Sequence, residues 1–357
     1  MLFYFIQIFI FLCYSFFFYL IRPNLERTYY VLVAIHFSII MGMRSYWVGT
    51  DTSQYVGIYL QRLTDFNQGG GAVYNWISNI IWILTNGNYH VFLMVLSTLT
   101  VSLYILFVYL IKTNYYEGFL SIYIYITFYY YFNAFNIQRQ MLAVSISLIA
   151  TYLCIKNRWL WGLLLFLIAV GIHSTAIICF INIVILKLRK SKKTLIIAVL
   201  LSGIFIFASG SLLNKFASIF GHYEMYLNTF NSNALSSKGG TIILGLFIMI
   251  FVVITPLLSP DILKNKIFSN ILFFSGIGAM IYIAGYKLQL LIRMADYFAI
   301  YSTVLLPFSV EQIITKFSNR NTAKAILTST IMIAGFILLY YKLSKNMGDI
   351  IPYSFNS

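Results

Sequence analysis

The stretch from Tyr89 to Ile111 carries no Asp, Glu, Lys or Arg. A helix needs about 20 apolar residues to cross a hydrocarbon core of about 30 Å, and this run exceeds that length. Similar runs predict spans at 1–21, 28–43, 89–111, 117–134, 141–155, 159–172, 174–186, 194–213, 241–258, 267–286, 288–310 and 325–343. Those at 141–155, 159–172 and 174–186 are short and are expected to be tilted, broken or extended into their flanks. The expected fold is all-α: a polytopic integral membrane protein of about 12 transmembrane helices, at about 20 residues each. One transmembrane domain is expected over 1–357, with no soluble domain.

Composition closes off the alternatives. Hydrophobic residues make up 61% of the chain and charged residues 9%, against about 45–50% and about 25% in soluble domains. A cytosolic enzyme, a secreted domain and a nucleic-acid-binding module are excluded. The net charge of +15 would suggest nucleic acid only if it formed a basic face on a soluble module. Here the basic residues sit in short loops between apolar runs. Cys13, Cys154 and Cys179 all lie inside apolar runs and give neither a disulfide framework nor a metal motif. The first 21 residues lack a basic leader and a small-residue cleavage site, and read as a retained span.

Alternate loops divide the 24 Lys and Arg residues unequally, 15 against 9. The richer set includes Arg22, Arg27, Lys112, Lys156 and the dense Lys187–Lys193 cluster, and by the positive-inside rule it faces the cytoplasm. Both termini then lie outside. Two outer loops are long. Residues 44–88 are expected to hold an interfacial helix from about Thr52 to Phe66, with Tyr55, Tyr59, Leu63 and Phe66 on one face and Gly69-Gly70-Gly71 ending it. Residues 214–240 are rich in Asn, Ser and Gly, end in Gly239-Gly240, and suit a lid or binding loop.

In so apolar a chain, the few charges mark candidate sites. Arg44, Asp51, Arg139, His173, Arg293 and Asp296 fall at or near span ends on the outer side. The plain alternative for each is a snorkelling side chain or a helix cap. Asn136-Ile137-Gln138-Arg139-Gln140 opens the span at 141, so that a helix N-terminus and a guanidinium fork together suit an anion. His173, in Gly171-Ile172-His173-Ser174-Thr175, is either an acid–base group or a turn histidine. Arg293, Asp296 and Tyr297 lie at i, i+3 and i+4 on one helix face, as a site or as a structural pair. In Arg44-Ser45-Tyr46-Trp47-Val48-Gly49-Thr50-Asp51-Thr52, Asp51 is either an N-cap or a general base. His36, mid-span, reads as a hydrogen-bonded core residue. The chain has no Walker A loop, H-E-x-x-H, G-x-S-x-G or D-x-D pair, so no metal and no cofactor is expected.

The ordered islands Arg44…Val48-Gly49-Thr50-Asp51-Thr52…Tyr55, Arg139-Gln140-Met141-Leu142-Ala143, His173-Ser174 and Arg293…Tyr297 resemble the EpsG family. That family is similar in role to the Wzy-type polymerases of O-antigen, capsule and exopolysaccharide synthesis. The resemblance spans about residues 40 to 300. It implies a polymerase that joins undecaprenyl-diphosphate-linked oligosaccharide repeat units at the outer face of the bacterial inner membrane, with the active site facing the periplasm. It also implies a lipid bilayer environment, a flippase and a chain-length regulator as candidate partners, and no nucleic acid. Arg44, Arg139, Gln140, Arg293, Tyr297 and Tyr55 would then bind diphosphate and substrate. Asp51 is the first choice of base, His173 the second and Asp296 the third. Tyr46, Trp47, Tyr223 and Tyr226 are either sugar-stacking or interfacial-belt residues. Two rivals are a lipid-linked oligosaccharide flippase and an outer-face glycan ligase or acyltransferase. A transporter would place ionisable groups near the midplane, whereas these fall toward span ends.

The charge asymmetry makes a direct expectation. Cysteines introduced into 44–88 and 214–240 should label from outside intact cells, and those in the Lys187–Lys193 loop should not. External labelling of that loop would reverse the orientation.

Overall fold

The structure, a computed structural model, describes residues 1–61, 71–204, 238–284 and 289–355. It is all-α. In order the helices are α1 (Leu2–Ile21), α2 (Glu26–Gly42), α3 (Thr52–Leu60), α4 (Ala72–Thr85), α5 (Tyr89–Ile111), α6 (Tyr115–Thr127), α7 (Tyr130–Asn136), α8 (Gln138–Ile155), α9 (Trp159–Ile172) and α10 (Phe180–Lys187). There follow α11 (192–204), α12 (Lys238–Leu258), α13 (Lys266–Ala284), α14 (Gln289–Ala299), α15 (Ser302–Ile314) and α16 (Arg320–Ser344).

Among the described residues, six helices are long and apolar enough to cross a membrane: α1, α5, α8, α12, α13 and α16. A seventh arises if α14 and α15, bent by 45° at Ile300–Tyr301, form one broken span. The twelve expected spans are therefore not all found. The run at 117–134 is divided into α6 and α7, because Tyr129 takes a left-handed φ of 79° and ends the first helix. The run at 174–186 opens as a 3-10 segment, Ser174–Cys179, before α10. The run at 288–310 breaks between α14 and α15. Apolar composition predicts an unbroken run in each case, because it does not register backbone breaks. The interfacial helix ends as a described element at Leu60; residues 62–70, with its expected end at Phe66, lie outside the described residues, as do 205–237 and most of the 214–240 loop. Residues 44–88 also hold a second helix, α4, that the pattern did not suggest.

The chain divides into two units: Met1–Phe180 with Ser329–Ser357, and Ile181–Thr328. In the first, α2 packs antiparallel on α5, α5 on α8, and α8 on α9. Helix α8 is the central one, with most of its residues buried, whereas α1 and α16 are largely exposed. Its Ser145, Ser147 and Thr151 are all buried, which explains how a helix of modest hydropathy belongs in the interior. The Thr151 hydroxyl donates to Ser147 O at 2.8 Å, the local solution for a hydroxyl on a helix in an apolar setting. Large apolar side chains on α1 and α16, such as Phe9, Phe16, Ile333 and Ile337, stay exposed, as lipid-facing residues should.

Helix starts follow ordinary capping chemistry. Asn88 Oδ1 accepts from His90 N and Val91 N at 2.9 and 3.3 Å to open α5. Asn114 Oδ1 accepts from Glu117 N at 2.9 Å, and Glu117 Oε2 accepts from Thr113 N at 2.7 Å. That reciprocal pair starts α6 two residues before the expected span. His36 is hydrogen-bonded as expected, with Tyr14 Oη 3.1 Å from Nδ1 and Gln7 Oε1 2.9 Å from Nε2.

In the second unit, α12 packs on α13 and α13 on α14. Gly278 is where α13 meets the end of α14: a Cβ there would lie 2.2 Å from Ala299 N. Lys190, in the basic cluster, bends back to donate to Ile185 O and lies 4.6 Å from the Phe273 ring centre. This caps the C-terminus of α10, and its partial burial lowers the ammonium pKa to about 8.

Two glycine substitutions separate packing from propensity. Gly278→Ala should lower the thermal unfolding midpoint in detergent, since overpacking costs about 1–3 kcal/mol. Gly57→Ala, where a Cβ meets nothing within 4 Å, should leave the midpoint unchanged or raise it, since Ala gains roughly 0.5–1 kcal/mol over Gly in a helix.

Candidate functional site

Arg44 lies just beyond α2 and is 0% exposed. Its Nη1 donates to Met41 O, its Nη2 to Phe135 O at 3.4 Å and its Nε to Thr52 Oγ1 at 3.5 Å. The guanidinium carbon lies 5.1 Å from the Phe135 ring centre. Burial lowers its pKa to about 10, and nearby tyrosine hydroxyls act in the opposite sense, so at neutral pH the group stays charged. The fork is thus spent on the protein's own oxygens. It holds the end of α2, the start of α3 and the α7–α8 corner to one another.

The loop between α2 and α3 is built around that cation. Gly49 has φ +106°, and a Cβ there would sit 2.7 Å from Thr52 Oγ1 and 2.9 Å from Phe135 O, so this position tolerates only glycine. The buried Thr52 hydroxyl is 2.9 Å from Val48 O and 3.0 Å from Phe135 O. Asn136 Oδ1, at the end of α7, accepts from Thr50 N at 2.7 Å and from Thr50 Oγ1 at 3.0 Å. The C-terminal segment closes the other side: Gly49 N donates to Asp349 O at 2.9 Å, Thr50 N to Gly348 O at 3.2 Å and Ser45 N to Ser354 O at 2.8 Å. Tyr4 Oη, from α1, donates to Ile350 O at 2.8 Å and Tyr353 Oη to Ile40 O at 2.9 Å.

Asp51 is presented by this loop as the residue before α3. It occupies the N-cap position, yet its side chain makes no capping hydrogen bond. The carboxylate is half-buried, with no hydrogen bond or ion pair among the described residues. Tyr55 stands one turn further along α3, on the same face. The ring of Tyr55 lies 5.2 Å from the Arg139 guanidinium carbon, and that of Tyr74, from α4, lies 5.4 Å from it. An Arg in the first turn of a helix opposes the helix dipole. Here two aromatic faces offset that cost by cation–π attraction. No side chain caps α8, whose N-cap position is Ile137.

His173 caps the 3-10 segment after α9: its Nδ1 faces Thr175 N at 3.5 Å and Thr175 Oγ1 at 3.3 Å. The turn-histidine alternative is thus seen in the structure, and it leaves the ring at the same end of the unit as α4. A Cβ on Gly71, just before α4, would lie 2.1 Å from Gly171 O, and one on Gly171 would lie 2.4 Å from Val73 Cγ2. The start of α4 therefore touches the end of α9, while its Tyr74 reaches Arg139. Gln140 is buried on α8 at 3% exposure.

Arg44, Asp51, Tyr55, Arg139 and His173 all belong to the first unit. Arg293, Asp296 and Tyr297 belong to the second, on α14. There Tyr282 Oη donates to Asp296 Oδ1 at 2.7 Å, and Asp296 is 3% exposed. Tyr46 and Trp47 pack ring to ring at 4.3 Å, with Trp47 70% exposed; Tyr223 and Tyr226 lie outside the described residues. Sequence reasoning missed Asn136, Tyr74 and the 348–355 segment. Asn136 did stand at the helix break before Arg139, and an Asn at such a corner is a signal for backbone bonding. Nothing local in 348–355 announces that it pairs with residues some 300 positions earlier.

Fold and site together define a multi-pass α-helical membrane protein with a tyrosine-flanked arginine and, on the loop that leads to one of those tyrosines, a carboxylate. The chain belongs to the EpsG family, whose profile matches residues 27–355, and that family is linked to exopolysaccharide synthesis. No curated protein and no solved structure matches it.

Thr52 tests the loop. Thr52→Val keeps the shape but takes the hydroxyl donor from Val48 O and Phe135 O and the acceptor from Arg44 Nε, which should cost about 1–3 kcal/mol. The expected result is a lowered thermal midpoint in detergent, restored by Thr52→Ser.

Proposed function

We propose that this protein is a polysaccharide polymerase. It transfers a growing glycan from undecaprenyl diphosphate to a hydroxyl of an incoming lipid-linked repeat unit at the outer membrane face. The observation that carries the reading is the pairing at α8 and α3: Arg139 held between Tyr55 and Tyr74 at an uncapped helix start, with the uncommitted Asp51 carboxylate on the Tyr55 face. Membership of a family linked to exopolysaccharide synthesis supports a glycan as the substrate.

In this reading the bond between the anomeric carbon and the diphosphate oxygen breaks. The acceptor hydroxyl oxygen forms the new bond to that carbon, and its proton passes to Asp51. Undecaprenyl diphosphate leaves with both electrons of the broken bond. Its developing charge is met by Arg139 and the N–H groups at the α8 N-terminus, without a metal. Arg44 holds the loop that carries Asp51; a diphosphate would have to displace its carbonyl partners to reach it. Gln140, one residue beyond Arg139, is a further candidate for diphosphate and substrate contact. His173 is the second candidate base and Asp296 the third, and Arg293 and Tyr297, on α14 of the second unit, are further candidates for diphosphate and substrate contact. A flippase would deliver the lipid-linked units, and a chain-length regulator would set when transfer stops.

Arg139→Ala should leave a membrane-inserted protein at normal level that no longer makes long polymer. Loss of a transition-state contact of about 3 kcal/mol is roughly a hundredfold in rate. Arg139→Lys should rescue only in part, since an ammonium lacks the bidentate fork. Asp51→Asn should slow transfer by about 10²–10⁴ with the thermal midpoint unchanged. Polymer length on a gel, read against protein level, checks all three. Normal long chains from Arg139→Ala would remove that residue from the site.

A further inference from the structure

A groove on the first unit, away from the residues discussed above, runs between α2 and α5 and encloses about 440 Å³. Its walls include Tyr30, Ala34 and Ser38 from α2, and Thr98, Ser102 and Tyr109 from α5. Arg27 stands at one end. The other end closes at Met94, where the backbones come together: a Cβ on Gly42 would lie 2.8 Å from Met94 Cα. From Arg27 to Ile39 on α2 is about 18 Å at about 1.5 Å per residue. That is close to half of a hydrocarbon core of about 30 Å. The groove therefore matches the depth of one leaflet.

The charges at its mouth have a sign. Arg27 is exposed, and its Nε donates to Tyr109 Oη at 3.3 Å. Among the described residues no carboxylate pairs with it, because the neighbouring Glu26 is held by Lys112 at 2.7 Å. Lys112 is fixed further by the rings of Tyr109 and Tyr30, 5.1 and 5.5 Å from its Nζ. The local balance is one unneutralised guanidinium, whose terminal NH2 groups are open to an oxyanion. Inside the groove, Ser38 Oγ is buried without a hydrogen-bond partner.

We propose that this groove is a binding site for an anionic membrane phospholipid, with an acyl chain along α2 and α5 and the phosphate on Arg27. The depth suits a chain that ends at the bilayer midplane. The guanidinium suits a phosphate that it contacts through two N–H groups. The charge count places Arg27 on the cytoplasmic side, where anionic headgroups attract basic residues by about 1 kcal/mol each. The site is separate from the proposed transfer reaction and stands without it.

The test is retention of lipid by the purified full chain, after exchange into micelles holding equal phosphatidylglycerol and phosphatidylcholine, read by native mass spectrometry. Wild type should retain phosphatidylglycerol in preference. Arg27→Gln, at an exposed position, should cut that preference roughly fivefold, the equivalent of about 1 kcal/mol, and Arg27→Lys should keep most of it. Ala34→Phe, which fills the groove, should lose both lipids while remaining monodisperse on size exclusion. Equal retention of the two lipids by wild type would overturn the proposal, as would a preference untouched by Arg27→Gln. Displacement of phosphatidylglycerol by a polyprenyl diphosphate added at equal concentration would assign the groove to that lipid and overturn it too.

Discussion

A guanidinium removed from water is costly unless its N–H groups find acceptors. Arg44 finds them on three separate parts of the chain: Met41, Thr52 and Phe135. Each supplies an oxygen that also needs a donor in a region without water. The cation and its acceptors are thus mutually required, and the loop carrying Asp51 cannot drift from the α7–α8 corner without stranding both. Asn136 adds two hydrogen bonds to Thr50 at the same joint, and the carbonyls of Gly348 and Asp349 complete the enclosure. Arg139 stands in the first turn of α8, three residues after Asn136. The carboxylate and the stacked guanidinium are therefore referenced to a common, rigid corner, as a site built on preorganised groups requires.

Much of this was legible from residue pattern. Apolar runs mark the membrane class, and the bounds of α1, α5 and α9 come out as expected. The rarity of charge points to Arg44, Asp51 and Arg139, which the fold does gather in one unit. The rest was hidden for physical reasons. Helix breaks at Tyr129 and Ile300 depend on backbone conformation and on what packs against it, not on hydropathy. Helix α4 looked like loop because Asn75, Ser78 and Asn79 interrupt the apolar run, whereas a half-exposed helix tolerates them. The family resemblance offers Arg44 as a diphosphate contact, whereas the structure surrounds it with the chain's own oxygens. Its burial depends in part on the Phe135 carbonyl, contributed from 91 residues away, and no local pattern records such pairing. The C-terminal segment was invisible for the same reason.

The two candidate carboxylates differ in what surrounds them. Asp296 is buried and accepts a hydrogen bond from Tyr282, an arrangement that fixes its geometry. Asp51 sits at a helix start without capping it, so nothing in the described fold consumes its lone pairs. A residue at an N-cap position that leaves its capping bond unmade forgoes about 1 kcal/mol. Stability sacrificed at one position is common where a group serves chemistry instead. This contrast, together with the stacked Arg139, is what favours transfer chemistry at the α3–α8 pair.

The most direct measurement is reconstitution of the purified protein in liposomes with one defined undecaprenyl-diphosphate-linked repeat unit and a chelator in place of divalent metal. The account predicts a ladder of lipid-linked products longer than the input, with one undecaprenyl diphosphate released for each unit added. Movement of the intact repeat unit across the bilayer with no new glycosidic bond would contradict it and make the protein a transporter.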